Sequence, residues 1–192
     1  MAKKIVLLLA DGFEDVEAVT PIDYLRRAGV EVTVASVGGT RTVKSSRSLT
    51  VQADTTLAEL AREGKLRSDQ WDGVIIPGGM PGATNVAASV TAATLIKDLA
   101  AAKKMIGAIC AAPAVVLGPL GVLAGRRFTC YPGMEKDVSG AYWAGEKDRV
   151  VVDGTLITSR GPGTAGEWAK EMIARLVDTA MAEKIAQATL LR

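Results

Sequence analysis

One cysteine in this 192-residue sequence stands where a reactive thiol could form. The stretch Met105–Pro113 predicts a short apolar strand that ends at Cys110 and turns directly into a helix. Pro113 falls in the first helical turn, where the amide that proline lacks would be unpaired in any case. Free backbone amides and the positive end of the helix dipole favour the thiolate, which is the nucleophilic form. The alternative is that Cys110 is a small buried hydrophobic residue, as most free cysteines are.

The sequence contains no histidine, so proton transfer at this cysteine must use another group. Imidazole-based triads and histidine-bound zinc are excluded, and two cysteines alone make a poor metal site. The best proton carrier is a carboxylate among Glu14, Asp15 and Glu17. Pro21 cannot donate the helical hydrogen bond to the Glu17 carbonyl, which predicts a local irregularity there. A carboxyl group buried in an apolar pocket would stay protonated and could donate a hydrogen bond to a thiolate. The alternative is that these acids only stabilise a helix N-terminus.

Composition restricts the classes of function. The formal charge of +2 is nearly balanced and gives no reason to expect a nucleic-acid partner. Hydrophobic residues make up 48% of the chain without a run of membrane-spanning length, and Asp11-Gly12 interrupts the N-terminal apolar stretch too early for a secretion signal. Two cysteines fit a reducing compartment. We therefore expect a cytoplasmic protein with one domain, residues 1–192, and no membrane partner.

Strands alternate with helices along most of the chain. Continuous apolar runs predict strands that are buried on both faces, as in a parallel sheet. Such strands are predicted at residues 3–9, 30–37, 73–77 and 103–109, with a further strand at 126–130. Helices are predicted at 14–29, 55–63, 84–102 with a break near Ser89, 111–117 and 182–190. Hairpins are predicted at 40–53 and, around Asp153-Gly154, at 149–158. The pattern indicates an α/β fold, a doubly wound and mostly parallel sheet with helices on both faces and a small β-hairpin.

A further helix is predicted to start near Thr164. Thr164 and Glu167 have the spacing of a capping box. Trp168, Met172 and Leu176 follow at intervals of four residues, which predicts a buried face.

Four segments that could contribute reactive or ligand-binding groups fall at the carboxyl ends of predicted strands, where doubly wound domains bind ligands. They are 11–17, 78–82, Cys110 and 160–164. The adjacent glycines Gly78 and Gly79 would let the backbone approach a ligand closely. They are equally typical of a tight turn, and they lack the spacing of a dinucleotide-binding or phosphate-binding loop.

Five segments of the chain together resemble the ThiJ/PfpI superfamily, and within it the Parkinson disease protein 7 branch. The segments are Ala10-Asp-Gly-Phe-Glu-Asp-Val-Glu17, Arg26-Arg-Ala-Gly29, Pro77-Gly-Gly79, Ala108-Ile-Cys-Ala-Ala-Pro113 and Thr158-Ser-Arg-Gly-Pro-Gly-Thr164. The resemblance covers nearly the whole chain and implies a flavodoxin-like sandwich, a homodimer and no cofactor or metal. It implies that Cys110 is the reactive cysteine on a strained elbow and that Glu17 is the protonated carboxyl beside it. It also implies that the amides of Gly79 and Ala111 form an oxyanion-hole-like pair.

The same resemblance implies further residues around the pocket or at a dimer contact. These are Glu14, Arg27, Arg47, Gly78, Tyr131, Arg160, Gly161 and Pro162. Many close members carry histidine in a Thr-His-Pro segment, where this chain has Thr129-Cys-Tyr-Pro132. Tyrosine donates a hydrogen bond but is a poor base at neutral pH. The protease-like branch has histidine directly after its cysteine, and because this chain has Ala111 there we do not expect peptidase or amidotransferase chemistry.

The resemblance implies a cofactor-independent glyoxalase or deglycase in defence against carbonyl and oxidative stress. Its substrates would be methylglyoxal and early glycation adducts of proteins or nucleotides, with Cys110 as nucleophile. The alternative is a redox-sensing stress protein or chaperone that is switched by oxidation of Cys110 to sulfinic acid. Cys130 is expected to be a packing residue. A nucleotide-binding protein of the same architecture is a third possibility, but no phosphate-binding motif supports it.

Overall fold

The computed structural model describes residues 2–191 and contains a sheet built largely from apolar segments. The ends of the predicted 1–192 unit, Met1 and Arg192, lie outside this description. The strands are β1 (Lys4–Leu9), β2 (Glu31–Ser36), β3 (Thr42–Lys44), β4 (Thr50–Gln52), β5 (Thr55–Thr56), β6 (Gly73–Ile76), β7 (Met105–Ile109), β8 (Arg127–Phe128), β9 (Tyr142–Trp143), β10 (Val150–Asp153) and β11 (Leu156–Ser159). The α-helices are α1 (Asp15–Arg27), α2 (Leu57–Arg62), α3 (Gly82–Ala88), α4 (Val90–Ala101), α5 (Ala165–Leu176) and α6 (Thr179–Ala188).

The main sheet has the strand order β10-β11-β7-β6-β1-β2-β5. Every neighbouring pair in it is parallel except β10 with β11. In β1 every residue after Lys4 is buried, because helices cover both faces of the sheet. The predicted doubly wound α/β fold and its small antiparallel hairpin, β3 with β4, are therefore confirmed.

Two hydrophobic cores lie on opposite faces of this sheet. On one face α1, α5 and α6 pack against the sheet, and Trp168, Met172 and Leu176 are buried there as predicted. The Trp168 indole also donates a hydrogen bond to the Ile157 carbonyl of β11 at 3.0 Å. On the other face α2, α3 and α4 pack together with a π-helical segment, Pro113–Leu117. No helix within residues 2–191 is long and apolar enough to cross a membrane.

Helix α1 has the ends that its sequence predicts. The Glu14 side chain caps its N-terminus by accepting a hydrogen bond from the Glu17 amide at 2.9 Å. Gly29, with φ of 79°, lies just beyond the last turn. The break predicted near Ser89 is also present, since this residue ends α3 and caps α4.

Three predicted elements differ from the structure because tertiary contacts override the local pattern. Thr55 and Thr56 form an edge strand beside β2, and the helix predicted from Thr55 begins only at Leu57. The helix after Cys110 is π-helical from Pro113 rather than α-helical. The strand predicted at 126–130 is only two residues long and pairs with β9, which the sequence pattern did not reveal.

The predicted capping box at the start of α5 is wrong. The Glu167 carboxylate is held by the Arg149 guanidinium at 2.8 Å and does not fold back onto the Thr164 amide. The Thr164 hydroxyl instead donates to the Gly161 carbonyl at 2.8 Å and lies 2.6 Å from the Ser159 hydroxyl. The Thr164 and Glu167 side chains therefore hold the loop between β11 and α5 and do not cap the helix.

Candidate active site

The four segments that the sequence singled out meet at one edge of the sheet. The strands β1, β6, β7 and β11 are parallel neighbours, so their carboxyl ends lie side by side. Direct hydrogen bonds join the loops that follow β1 and β6, from the Glu14 amide to the Gly78 carbonyl at 3.1 Å and from the Gly82 amide to the Gly12 carbonyl at 3.2 Å. Cys110 follows β7 in the middle of this edge.

Cys110 has a strained backbone that is held on both sides. Its φ of 62° lies in the left-handed region, which is uncommon for a residue with a side chain. Its amide donates to the Ser159 carbonyl at 2.9 Å, and its carbonyl accepts from the Tyr131 amide at 2.8 Å. These bonds fix the elbow that turns the partly exposed thiol out of the sheet.

Glu17 is the carboxyl group beside this thiol. It lies in the first turn of α1 with no exposed surface. One oxygen, Oε2, accepts a hydrogen bond from the Gly78 amide at 2.8 Å. The other, Oε1, is buried and has no hydrogen-bond partner within the described residues, so it is free to carry a proton. Burial raises the pKa of Glu17 to about 7 against the opposing hydrogen bonds from Cys110 and Gly78.

Glycine is the only residue type that fits at position 78, between the side chains of Cys110 and Glu17. A Cβ atom there would lie 2.7 Å from the Cys110 Cβ and 2.7 Å from Glu17 Oε2. Gly79 has φ of +87°, and a Cβ atom on it would lie 2.4 Å from the Glu14 amide nitrogen. The adjacent glycines therefore serve close approach of backbone to the reactive side chains, in addition to forming a turn.

The structure reverses the predicted effect on the thiol. The amides of Ala111 and Gly79 donate towards the Cys110 sulfur and lower its pKa, as expected. Burial acts more strongly in the opposite direction, and the Glu17 carboxylate adds to it, so the pKa of Cys110 is raised to about 12. The helix dipole is a weak counterweight, because the segment after Cys110 is a short π-helix.

Cys110 and Glu17 therefore titrate as a pair. The pKa of the Glu17 carboxyl is raised to about 7 and that of the Cys110 thiol to about 12, so the carboxyl loses its proton first. Between these pH values the pair carries one proton and one negative charge. The Gly79 and Ala111 amides stabilise that charge on sulfur, whereas the Gly78 amide stabilises it on the carboxylate.

Tyr131, Arg160, Gly161 and Pro162 lie together on the β11 side of Cys110. They line a surface cavity of about 430 Å³. The Tyr131 ring passes over Gly161, since a Cβ atom there would lie 3.7 Å from Tyr131 Cδ2. The phenol is half exposed. The Arg160 guanidinium donates to the Glu146 carbonyl.

The remaining predicted residues are placed differently. Glu14 caps α1 next to Gly78 and Gly79. Arg47 is exposed in the β3–β4 hairpin, which is joined to the loop after β1 by a 2.8 Å hydrogen bond from the Ser46 amide to the Phe13 carbonyl. Arg27 ends α1, away from Glu17, and pairs with Asp23 at 2.9 Å. Arg27 is thus not part of the pocket, and its role in a dimer contact stays a prediction.

Ser159 and Thr164 support the backbone at Cys110, and the sequence reasoning did not single them out. Ser159 binds the Cys110 amide through its carbonyl and the Thr164 hydroxyl through its side chain. Both residues belong to a segment that the sequence singled out, but nothing in the segment indicated which residue contacts Cys110. Cys130 is 1% exposed in a core, as expected for a packing residue, and burial raises its pKa to about 12.

No other part of the described chain offers comparable chemistry. A cavity of about 340 Å³ lies near Lys4, Arg41 and Trp71, at the opposite edge of the sheet, where β1 begins. No cysteine lines it. Within residues 2–191, no cluster of three or more His, Cys, Asp or Glu side chains is arranged to hold a metal ion.

A flavodoxin-like sheet with a cysteine on a strained elbow and a buried carboxyl beside it defines a narrow class of protein. The sequence model of the DJ-1/PfpI family matches residues 3–175, and the chain belongs to this family. It is 38% identical to Protein dj-1beta of Drosophila melanogaster over 190 residues, which cover 99% of this chain and 98% of that protein. It is 33% identical to a deglycase of Pyrococcus abyssi over 172 residues, 88% of this chain and 97% of that protein. The structure of oxidized Toxoplasma gondii DJ-1 superposes with a TM-score of 0.90 at 39% identity, covering 98% of both chains.

Proposed function

We propose that this protein is a cofactor-independent, cysteine-dependent glyoxalase and deglycase. Its substrates would be methylglyoxal and early glycation adducts of proteins or nucleotides, and its role would be defence against carbonyl and oxidative stress. The observation that carries the proposal is the Cys110–Glu17 pair with the Gly79 and Ala111 amides directed at the sulfur. The 33% identical deglycase of Pyrococcus abyssi supports it.

The proposed reaction begins with transfer of the Cys110 proton to the Glu17 carboxylate, against the order of their pKa values, and this leaves the negative charge on sulfur. The thiolate attacks the aldehyde carbon of methylglyoxal, and a carbon–sulfur bond forms while the carbonyl π electrons move to oxygen. The Gly79 and Ala111 amides stabilise this oxyanion, which takes the proton from Glu17 to give a hemithioacetal and leaves Glu17 as carboxylate.

Glu17 then carries out the internal redox step. As carboxylate it removes the proton from the former aldehyde carbon, and the proton is returned to the former ketone carbon. The first carbon is oxidised to a thioester and the second is reduced to an alcohol, so no external oxidant or reductant is needed. Water cleaves the thioester, which releases lactate and restores the thiol. A pKa of about 7 suits Glu17 to both giving and taking a proton at neutral pH.

The test is lactate formation from methylglyoxal without glutathione or added metal. We expect Cys110→Ala to abolish turnover and Glu17→Gln to lower it by about 10²–10⁴-fold while the protein remains folded. Cys130→Ala is the matched control, because it removes the other thiol, which is buried away from solvent. Activity that survives in Cys110→Ala would contradict the proposal. Turnover by the wild type would also show that Tyr131 suffices where relatives carry histidine.

A redox-sensing stress protein or chaperone is the second candidate, and the exposure of the two thiols favours it. Cys110 is partly exposed, whereas Cys130 is buried. A protonated Glu17 would donate a hydrogen bond to a sulfinate on Cys110. The related Toxoplasma gondii DJ-1 has been determined in an oxidized form. Intact mass and peptide mapping after mild peroxide should place two oxygens on Cys110 first, and oxidation of Cys130 before Cys110 would remove the basis of this candidate.

We also propose that the protein is a homodimer. The apolar side chains Val16 and Val19 of α1 and Leu49 of the β3–β4 hairpin are each 46% exposed. A second copy of this chain would cover them. Sedimentation equilibrium should give twice the chain mass, and Val19→Glu should weaken the association. A monomer at micromolar concentration would contradict the proposal.

A further inference from the structure

Charge is distributed unevenly on the two sides of Cys110. The strand before Cys110, β7, lies between β6 and β11. On the β6 side the thiol lies beside Glu17, and the Glu14 carboxylate adds negative charge near Glu17. On the β11 side the cavity of about 430 Å³ is lined by Lys147, Arg149 and Arg160, with Glu146 as the one carboxylate.

The cavity walls are hydrogen-bonded to Cys110 itself. Arg160 directly follows Ser159, whose carbonyl accepts from the Cys110 amide at 2.9 Å. Tyr131 forms the facing wall, and its amide donates to the Cys110 carbonyl at 2.8 Å. The cavity is therefore lined by Tyr131, which is hydrogen-bonded to Cys110, and by Arg160, which follows the hydrogen-bonded Ser159 in the chain. Both lie at the carboxyl edge of the sheet.

The cavity keeps a positive charge after internal pairing. Arg149 is neutralised by Glu167 through contacts of 2.8 to 3.0 Å and also holds the Gly163 carbonyl at 2.8 Å, so it builds the wall. Arg160 donates only to a main-chain carbonyl, and neither it nor Lys147 forms an ion pair within residues 2–191. Two unpaired cations thus face one carboxylate, that of Glu146.

The cavity is also too large for the simplest dicarbonyl. Ligand pockets commonly measure about 300–1,000 Å³. Cys110 is not one of the residues that line this cavity of about 430 Å³, so methylglyoxal bound to the thiol would leave it unfilled. The remaining walls are the apolar surfaces of Tyr131, Pro132 and Pro162, which suit the flat or hydrocarbon part of a larger molecule.

We propose that this cavity binds the remainder of the substrate beyond its reactive carbonyl and selects substrates in which that remainder carries an anionic group, a carboxylate or a phosphate. Lys147 and Arg160 would bind the anion, and Tyr131 with the two prolines would contact the part between anion and carbonyl. For reaction at Cys110 this inference rests on the proposed function, but the binding itself does not require turnover.

The kinetic test compares 4-carboxyphenylglyoxal with 4-methylphenylglyoxal, which have similar shape but different charge. We expect kcat/KM to be at least about tenfold higher for the carboxylate, equivalent to about 1.4 kcal/mol. The double variant Lys147→Gln, Arg160→Gln should bring this ratio close to one. Lys97→Gln, which removes a cation from exposed α4, is the control and should leave the ratio unchanged. An unchanged ratio in the double variant would overturn the inference.

A binding test separates this inference from the proposed function. Calorimetry on Cys110→Ser would use 4-acetylbenzoate, 4-acetylphenyl phosphate and neutral 4-methylacetophenone. Tighter binding of either anion, lost in the double variant, supports the subsite even if wild-type protein forms no lactate, and the tighter anion identifies a carboxylate or a phosphate source. Equal affinity for anions and neutral ketone would overturn the subsite, even if methylglyoxal is turned over.

Discussion

Replacement of Glu17 by glutamine should make the stability of the protein less dependent on pH. The side chain is fully buried, and its pKa rises from 4.5 to about 7 on folding. At about 1.4 kcal/mol per pKa unit, this rise corresponds to about 3 kcal/mol. Because the folded state binds this proton more tightly than the unfolded state, the stabilisation is complete below pH 4.5 and is lost as pH rises to 7. Above that pH the wild type holds a buried negative charge that the amide variant lacks.

The assay is the free energy of unfolding from denaturant titration at several pH values and one protein concentration. Relative to Glu17→Gln, the wild type should lose about 2–3 kcal/mol between pH 5 and pH 8. Glu171→Gln, at an exposed position of α5, measures the same chemical change in solvent. A difference between wild type and Glu17→Gln that stays constant from pH 5 to pH 8 would refute the shared-proton description of the site.

Three further outcomes follow from local geometry. Gly78→Ala should cost about 1–3 kcal/mol of stability and abolish lactate formation, since its Cβ would lie 2.7 Å from the Cys110 Cβ and from the Glu17 carboxyl. Gly39→Ala is the control, because a Cβ there meets nothing within 4 Å. Equal behaviour of the two variants would contradict the steric argument. Trp168→Phe should lower the free energy of unfolding by about 1–3 kcal/mol, because it leaves a buried carbonyl of β11 without its 3.0 Å donor, and an unchanged denaturation midpoint would contradict this. A thiol reagent such as Ellman's reagent should titrate one thiol per native chain and two in denaturant, because Cys130 is buried; two fast native thiols would contradict the burial.

The sheet was predictable because its strands carry their own signal. A parallel strand covered on both faces must be apolar throughout, and β1, β6 and β7 are such runs ended by polar or glycine-rich segments. Their order along the chain, separated by helices, allows essentially one architecture. The convergence of the four loops at one edge then follows from parallel pairing alone.

The elements that were missed depend on partners distant in sequence. The two-residue strand β5 exists because its backbone pairs with the end of β2, and no pattern two residues long indicates that. The capping box at Thr164 was locally plausible, but Arg149, which directly precedes the edge strand β10, binds Glu167. Short local signals fail wherever a longer-range contact offers the same group a stronger bond.

At the candidate site, the sequence predicted which residues are present but not how deeply they are buried. The sequence indicated Cys110 and Glu17 as residues able to do chemistry, and the structure brings them together across Gly78. The direction of the thiol pKa was predicted wrongly, because a helix dipole is visible in a sequence whereas the depth of burial of a side chain is not. Burial is the larger effect at Cys110.

A comparison of the two cysteines indicates why Cys110 rather than Cys130 is the proposed nucleophile. Burial raises the pKa of both thiols to about 12, so the thiol's own environment does not distinguish them. The charged groups beside Cys130 are Glu135 and Asp137, which raise its pKa, and Arg160, which lowers it. Beside Cys110, a carboxyl with a pKa of about 7 can take the proton, and backbone amides stabilise the charge left on sulfur. Reactivity therefore belongs to the pair of residues, and a change to either member should remove it even where the other is untouched.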